Sequence, residues 1–470
     1  MASGDGPASG ETINPDLKNP DQLANKLTGQ LRGPVLYGDH QLAAYATDFG
    51  GVGYTKPALV VKAVDEHDLL ATLEFARTMA IPVTVRGSGC SCNGQSLSNG
   101  GILICYAGKQ GPISITDDKS AVEVLASQRW QNVDSALRKQ QRRIPVLADN
   151  LSLTVGGILS VGGYGIDSLV HGPLVSQVRR LKLIRPNGEV LWCSEQQNTD
   201  LYRYSLAGLG QLGIITRAEV NTVRRSRFPV HFSRRHKNLR ELVQSLEGLR
   251  PGPDKGPDFF KAFQARGKTV SVFGRYTDSL KAARSCYPGP AAEQQGGYTR
   301  LIAPWHRRGR SLAIKLWVAR YGPARRLWSD FLVDYHGLSV LVDVIENLRR
   351  SGDFDDCLKS IYILAIAKSG QSIKLPLEAS SGFSDPVNFG IGLYSMIPRN
   401  DKATLARTQK AVAICLEACL ATGGRPYLYG WHEFTEQQQR QTFGADYGRL
   451  QQLRRQGDPD GIFRAAKVLS

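Results

Sequence analysis

The residues best suited to bind a phosphate group lie in a glycine-rich loop between two apolar runs. The loop has the sequence RGSGCSCNGQ over residues 86–95, and the chain returns in a second apolar run at 102–105. Its glycines allow positive φ angles and let a ligand approach the main chain closely. Successive bare N–H groups in such a turn form a concave surface of donors, to which Arg86 would add positive charge. On this segment alone, a plain turn between two strands is an equally good interpretation.

A second glycine-rich segment changes that balance. Residues 149–216 contain DNLSLTVGGILSVGGYGIDSLVHGP, NGEVLWCS and LAGLGQLGIIT. Together the two segments resemble the vanillyl-alcohol oxidase/p-cresol methylhydroxylase-type (PCMH-type) FAD-linked oxidoreductases, closest to cytokinin dehydrogenase. The family motifs Arg-Gly-x-Gly-His-Ser-x-x-Gly-Gln, Asp-x-Leu-x-Leu-Thr-Val-Gly-Gly-x-Leu-Ser, His-Gly-Pro and Gly-Leu-Gly-Gln-x-Gly-x-Ile-Thr have counterparts here in the same order. The resemblance covers roughly residues 35–225 and 425–470.

The resemblance implies an α+β fold with FAD as the cofactor. We expect a two-subdomain PCMH-type FAD-binding domain and an α+β substrate (cap) domain with an antiparallel sheet. The predicted boundaries are a disordered tail at 1–33, the FAD-binding domain at 34–225, the substrate domain at 226–424 and a C-terminal return to the FAD domain at 425–470.

The resemblance places the family's catalytic aspartate at Asp149. There it would accept a proton from a substrate N–H or O–H while a hydride passes from the neighbouring carbon to flavin N5. Its apolar neighbours Leu147, Leu151 and Leu153 would help to exclude water. The alternative is an aspartate that serves only as a turn or helix cap.

Cys90 stands where the family has the histidine that bonds covalently to the flavin 8-methyl carbon. A cysteine close to Arg86 in an amide-lined loop is expected to have a more accessible thiolate, which could form a thioether at that carbon. The alternative is that the covalent bond has been lost. Asn150 replaces the cysteine through which many members bond the flavin a second time, so we expect no second bond. Cys92 is a weaker candidate for the link.

Further residues are candidates for the site. His171 would be structural, four tyrosines would either face the substrate or pack, and Glu378 and Asp385 are candidates for holding a basic substrate. The tyrosines are Tyr164, Tyr394, Tyr427 and Tyr429. The predicted cofactor-binding residues are Arg86, Gly87, Ser88, Gly89, Cys90, Ser91, Gln95, Thr154, Gly156, Gly157, Ser160, Gly163, Ile215 and Tyr429.

The predicted elements that position these residues begin with a βαβ unit leading into the first loop. It comprises a strand at 58–64, a helix at 69–79 and a strand at 83–85. Next come a strand at 121–126, a helix at 130–141, an irregular segment at 149–171, a hairpin of strands 178–184 and 190–193, a helix at 200–206 and a strand at 213–220. In the substrate domain we predict strands at 269–275, 360–367 and 388–396, and helices at 325–335 and 402–421. Cys415 and Cys419 would share the apolar face of that last helix.

Composition limits the remaining possibilities. The 470 residues carry a net charge of +17 with eight cysteines, too few for a disulfide scaffold, and no metal site is indicated. The basic residues are dispersed, which argues against nucleic-acid binding, although an acidic or carrier-bound substrate would suit the charge. No apolar run reaches about 18 residues, so no membrane span is predicted. The polar N-terminus indicates the cytoplasm, and the oligomeric state is left open.

The predicted function is that of an FAD-dependent oxidoreductase removing a hydride from a C–N or C–OH carbon of a small molecule. Cytokinin oxidation is one version, and a small-molecule oxidase of specialised metabolism is another. Two alternatives belong to other classes: a flavin-containing redox-neutral cyclase, and a binding protein that has lost FAD. Whether oxygen accepts the electrons is left open.

Overall fold

The computed structural model describes residues 20–108, 111–250, 256–286, 299–302, 306–354, 357–368, 375–378, 383 and 385–463. Within these ranges the protein has an α+β fold built on two small sheets and one large antiparallel sheet, as predicted. None of the helices in these ranges has the length and apolar character needed to cross a membrane.

The first small sheet carries the first glycine loop. Its four strands lie in the order Val35–Leu36, Leu59–Lys62, Ile102–Cys105 and Val83–Arg86. The last three are parallel to each other, and the helix Glu66–Thr78 connects two of them, so the predicted βαβ unit is confirmed. The loop begins where Val83–Arg86 ends, at the carboxyl edge of the sheet.

The second small sheet has five strands and includes the predicted hairpin. Their order is Ser114–Ile115, Ala121–Leu125, Ile214–Asn221, Val178–Ile184 and Val190–Ser194, and every pair is antiparallel. A short pair, Arg142–Arg143 with Val223–Arg224, lies beside it. The helices of this part are Asp39–Leu42, Trp130–Lys139, Val155–Leu159, Ser168–His171 and Thr199–Ser205, with 3₁₀ turns Ala43–Tyr45 and Leu174–Gln177.

The large sheet is antiparallel throughout. Its strands are Thr299–Ile302, Phe228–His236, Lys268–Thr277, Phe259–Ala265, Leu358–Ala367, Val387–Ile397, Arg325–Val333 and Arg425–Tyr427, in spatial order. One face packs on helices that include Tyr335–Arg350 and Lys402–Ala421, where Cys415 and Cys419 are buried as predicted. The other helices of this half are Leu239–Gln244, Leu280–Ser285, His306–Ala319, Glu436–Phe443 and Ala445–Gly457.

Three predictions about local structure were wrong. The helix predicted at 325–335 is the strand Arg325–Val333, because this stretch is paired on both sides in the large sheet. The segment predicted as irregular at 149–171 contains the helices Val155–Leu159 and Ser168–His171. Within the predicted disordered tail, Pro20–Thr28 is helical because Leu23, Ala24 and Leu27 pack into the hydrophobic core formed with the two small sheets. Residues 1–19 lie outside the described ranges.

The end of the described chain lies against the first small sheet. The Val83 amide donates to the Ile462 carbonyl at 2.7 Å, and Val83 forms a parallel bridge with Phe463. The Asp458 carboxylate accepts from the amides of Ile462 and Phe463 at 2.9 Å each. These bonds fix the C-terminal segment beside the strand from which the first glycine loop begins.

Candidate active site

A cavity of about 540 Å³ lies between the two small sheets and the large sheet. Both glycine-rich segments line it, together with the helix His306–Ala319 and four strands of the large sheet. On Arg325–Val333 the lining residues are Trp328, Asp330 and Leu332, and on Leu358–Ala367 they are Tyr362, Leu364 and Ile366. This alternation is that of strands with one face toward the cavity.

The first glycine loop is held in place by a buried aspartate. The Asp48 carboxylate accepts from the Gly94 amide at 2.8 Å, the Gly51 amide at 3.1 Å and the Ser91 hydroxyl at 3.1 Å. Burial raises the pKa of Asp48, and these donors oppose that shift. On the other side of the loop, the Cys92 amide donates to the Tyr429 carbonyl at 3.0 Å, which joins the loop to the C-terminal segment.

The two glycine-rich segments are in direct contact. The Ser88 hydroxyl donates to the Ser152 carbonyl at 3.1 Å. A Cβ atom added at Gly87 would lie 2.3 Å from Thr154 Oγ1, so only glycine allows this approach. Thr154 in turn caps the helix Val155–Leu159 by accepting from the Gly157 amide. The two glycine-rich segments therefore meet at one cavity.

Four consecutive amides of the first loop suit a phosphate-containing cofactor. Among the described residues, the amides of Ser88, Gly89, Cys90 and Ser91 donate to no protein acceptor, while all four residues line the cavity. Gly89 has φ +66°, and successive amides in such a conformation form an anion-binding concavity. Arg86, Arg129 and Lys315 lie near enough to lower the pKa of Cys90 electrostatically. These features fit the pyrophosphate of FAD.

Most predicted site residues line this cavity. They are Gly87, Ser88, Gly89, Cys90, Ser91, Gln95, Asp149, Thr154, Gly156, Gly157, Ser160, Ile215 and Tyr429. Arg86 and Gly163 do not. The Arg86 guanidinium donates to the Thr47 carbonyl at 3.1 Å, and the Gly163 amide donates to the Tyr427 hydroxyl at 3.1 Å. Both are therefore one step behind the cavity wall.

The predicted thiolate character of Cys90 was wrong. Burial raises the pKa of the Cys90 thiol, and the nearby cations only partly oppose this. Its Sγ lies on the cavity wall, 3.7 Å from the Ser88 carbonyl oxygen. Cys92 is buried in the core of the substrate side and does not line the cavity. Neither Cys90 nor Cys92 is in a disulfide.

Asp149 lies at the cavity wall in a strong ion pair. Arg310 Nε donates to Asp149 Oδ1 at 2.7 Å, and the Tyr362 hydroxyl donates to Oδ2 at 3.1 Å. Burial alone would raise the pKa of Asp149, but Arg310, Lys261 and Tyr362 together bring it below its usual value. The side chains of Arg310 and Asp149 are only 9% and 20% exposed, so solvent screens the pair weakly. Asp149 is therefore an anion at neutral pH.

A second carboxylate, Asp330, was missed from the sequence because its strand was predicted as a helix. The Tyr429 hydroxyl donates to Asp330 Oδ2 at 2.7 Å and the Tyr394 hydroxyl to Oδ1 at 3.3 Å. Burial raises the pKa of Asp330 to about 7, although both hydroxyls oppose the shift. No local sequence signal marks it, because LWSDFLV at 327–333 lacks the strict alternation of apolar and polar residues that indicates a strand.

The remaining predicted residues have mixed positions. Tyr164, Tyr394 and Tyr427 line the cavity with Tyr429. Glu378 does not line it and instead accepts from the Tyr164 hydroxyl, and Asp385 is also absent from the cavity wall. Burial lowers the pKa of His171 to about 4, and its carbonyl accepts from Gln177, which agrees with the predicted structural role.

Comparison with known proteins defines the class of domain that forms this site. Residues 57–194, which include both the first loop and Asp149, match the family described as "FAD binding domain". The protein therefore contains an FAD-binding domain, and FAD is its cofactor. Asp330 and all eight strands of the large sheet lie outside the match.

Individual relatives point to the same class over part of the chain. Cytokinin dehydrogenase 2 from Arabidopsis thaliana is 35% identical over 186 residues, which is 38% of this chain and 36% of the relative. Cytokinin dehydrogenase 9 from Oryza sativa subsp. japonica is 34% identical over 187 residues, with the same coverage. An uncharacterized oxidoreductase in the fasciation locus of Rhodococcoides fascians is 32% identical over 182 residues, 39% of this chain and 41% of the relative. The chain is thus homologous to cytokinin dehydrogenases over part of its length, and the alignments span about two fifths or less of these relatives.

Proposed function

We propose that the protein is an FAD-dependent oxidoreductase that takes a hydride from a C–N or C–OH carbon of a small molecule, with Asp149 as the proton acceptor. The observation that carries the proposal is that Asp149 and the amide-lined loop of the FAD-binding domain line one cavity. When FAD is bound there, its isoalloxazine ring supplies the two-electron acceptor.

The residues around Asp149 support its role as acceptor. Arg310 and Lys261 keep the carboxylate ionised, and Tyr362 fixes one of its oxygens. An ionised carboxylate can accept an N–H or O–H proton at any physiological pH, although its low pKa means that it holds the proton weakly. Such a base suits a step in which the proton moves as the C–H bond breaks.

For the substrate, the partial homology supports cytokinins as the first compounds to test. The part of the cavity formed by Arg325–Val333 and Leu358–Ala367 lies outside the matched domain, so other small amines and alcohols of specialised metabolism are equally within the proposal. The wall here is mostly apolar and aromatic, which favours a flat or unsaturated substrate.

Anaerobic mixing of the holoprotein with cytokinins, benzylic amines and benzylic alcohols tests this function. We expect at least one compound to bleach the flavin absorbance, and Asp149→Asn to slow bleaching while retaining FAD. Product formation without bleaching would instead indicate a redox-neutral cyclisation. No bleaching by any of these compounds, or equal rates in Asp149→Asn, would contradict the proposal.

A thioether between Cys90 and the flavin 8-methyl carbon is a separate part of the proposal; it would replace one S–H and one C–H bond, and the flavin itself would take up the two hydrogens and two electrons. Cys90 lies on the cavity wall within the amide-lined loop, which supports it, whereas the raised thiol pKa slows thiolate attack. Acid precipitation followed by mass spectrometry distinguishes the two alternatives. A yellow pellet with a mass increment on the Cys90 peptide, lost in Cys90→Ala, would establish the bond. Free FAD in the supernatant would refute it.

A further inference from the structure

Asp330 is a carboxylate of the cavity that has no cationic partner among the residues that the structure describes. Its two oxygens accept only from tyrosine hydroxyls, and among the described residues no lysine, arginine or histidine forms an ion pair with it. Lys315 lines the same cavity but forms no ion pair with Asp330. Carboxylates removed from water are normally paired, so this one lacks the partner that its burial calls for.

The groups that face Asp330 from the elements packed against it are neutral. Burial raises the pKa values of Tyr394, Tyr429 and Tyr362 well above the ordinary value, and that of Cys92 likewise. Tyr427, which pairs with Asp330 across the sheet, also has a raised pKa because it is buried. Burial lowers the pKa of His432 to about 3, so this ring carries no positive charge.

Five aromatic residues line the same cavity as the Asp330 carboxylate. The Tyr394 ring lies 4.6 Å from that of Trp328 and 6.4 Å from that of Tyr362, measured between centroids. The Tyr429 ring lies 4.9 Å from that of Tyr427. All five residues line the cavity. A carboxylate that shares a cavity wall with aromatic rings is suited to an organic ammonium group, because both a carboxylate and a ring face attract a cation.

The sheet leaves room for this carboxylate by placing glycine opposite it. Gly392 pairs with Asp330, and a Cβ atom added at Gly392 would lie 2.4 Å from Asp330 Oδ1 and 3.0 Å from the Tyr394 ring. A neighbouring residue with any side chain would displace the carboxylate from its position. The observed position of the Asp330 carboxylate therefore requires glycine at position 392.

We propose that Asp330, within the rings of Trp328, Tyr394 and Tyr429, binds a positively charged nitrogen of the substrate, so that the protein acts on small basic amines. This inference rests on the proposed function for the existence of a substrate, and it narrows the substrate class. It concerns the anchoring of the molecule and leaves proton acceptance at the reacting carbon to Asp149. The protonated amine would be the counter-ion of Asp330, as Arg310 is the counter-ion of Asp149.

Calorimetric titration of the FAD-loaded protein with benzylamine, and with benzyl alcohol as the uncharged probe of similar shape, tests the proposal. At about pH 8 the Asp330 carboxylate is ionised and benzylamine is still protonated, so we expect benzylamine to bind roughly tenfold or more tightly than benzyl alcohol. Asp330→Asn is expected to abolish this preference. Asp343→Asn, which removes an exposed carboxylate paired with Arg240, is the matched control and is expected to keep it.

A second variant guards against misfolding of the first. Gly392→Ala keeps every charge but pushes the carboxylate aside, so it is expected to weaken benzylamine binding more than benzyl alcohol binding. FAD content and melting temperature are recorded for each variant. If the wild-type protein shows no preference for benzylamine, or if Asp330→Asn keeps it, the proposal is overturned.

The same samples separate this inference from the proposed function. Flavin absorbance is recorded anaerobically during each titration. Benzylamine binding that depends on Asp330 supports the anchor whether or not the flavin bleaches. If amines bleach the flavin at the same rate and bind with the same affinity in Asp330→Asn as in wild type, the oxidoreductase function is supported and the anchor is overturned.

Discussion

Asp149 and Asp330 are the same residue type on the wall of one cavity, yet their surroundings push their pKa values in opposite directions. The Asp149 carboxylate lies 2.7 Å from the Arg310 guanidinium, and its pKa is below the usual value for aspartate. Within the described part of the chain, Asp330 accepts hydrogen bonds from only two tyrosine hydroxyls, and burial raises its pKa to about 7. Two carboxyl groups whose pKa values are shifted apart can take different roles in one site. The difference teaches that charge compensation, more than burial, decides what each group can do.

The origin of the difference lies in the elements around each carboxylate. Asp149 belongs to the matched FAD-binding domain, but its two cations come from later in the chain. Arg310 lies on the helix His306–Ala319 and Lys261 on the strand Phe259–Ala265. Asp330 lies in the middle of the strand Arg325–Val333, between two strands that place Gly392 and Tyr427 beside it. Asp149 is thus paired with residues from a separate part of the chain, whereas Asp330 has its neighbours within the large sheet.

The largest expected effect is on catalysis. Asp149→Asn is expected to lower the rate of flavin reduction by about 10²–10⁴-fold, the usual contribution of a positioned general base. Asp330→Asn should act mainly on the concentration of amine needed for half-maximal reduction. Stopped-flow reduction at several substrate concentrations separates rate from affinity. If the two variants exchange these effects, the assignment of the two roles is wrong.

The second effect is on the pH dependence of stability. Because the pKa of Asp330 is raised in the folded protein, its contribution is full below the ordinary aspartate pKa and is lost as pH rises toward about 7. A shift of about three units corresponds to at most about 4 kcal/mol. Asp330→Asn should therefore unfold at a higher urea concentration than wild type at about pH 8, but not at about pH 4. An equal difference at both pH values would contradict the raised pKa.

The third effect concerns the ion pair. Arg310→Met leaves the Asp149 anion without its nearest cation and is expected to cost about 3 kcal/mol of stability at neutral pH, as for other shielded pairs. Since the pKa of Asp149 is lowered, this stabilisation is present above the ordinary pKa and disappears as pH falls through the folded value. Urea denaturation of the Arg310→Met/Asp149→Asn double variant should show partial recovery. A double variant less stable by the sum of both changes would contradict direct pairing.

The smallest effect is expected from Tyr429→Phe. This change removes one of two hydroxyls from Asp330 and should cost about 1 kcal/mol, the net worth of a typical hydrogen bond. It should also raise the pKa of Asp330 further, so the loss of stability grows with pH. Tyr54→Phe, at an exposed tyrosine, is the control. No change in the pH dependence would argue against a bond between Tyr429 and Asp330.

The sequence predicts the FAD side of the molecule well because its residues are constrained locally. Glycines with fixed spacing specify the two loops, and the βαβ unit follows from helix and strand periodicity. The long helix Lys402–Ala421 was predicted with its observed bounds because it is capped by Asp401 and uninterrupted. In these cases the signal lies within the segment itself.

Asp330 and Arg310 could not be predicted in the same way. The stretch 325–335 has apolar residues compatible with either a helix or a strand, and its pairing with Val387–Ile397 and Arg425–Tyr427 decides for the strand. Arg310 is one of many dispersed basic residues and differs from them only in lying against Asp149. Contacts between distant segments determine both, and they leave no local pattern.

The central claim, that the two carboxylates of this cavity differ in charge, is tested most directly by infrared difference spectroscopy of the FAD-loaded protein between about pH 6 and pH 8. We predict that a protonated-carboxyl band disappears over this range in wild type and in Asp149→Asn, and that this band is missing from the difference spectrum of Asp330→Asn. A band that persists in Asp330→Asn and is lost in Asp149→Asn would contradict the account.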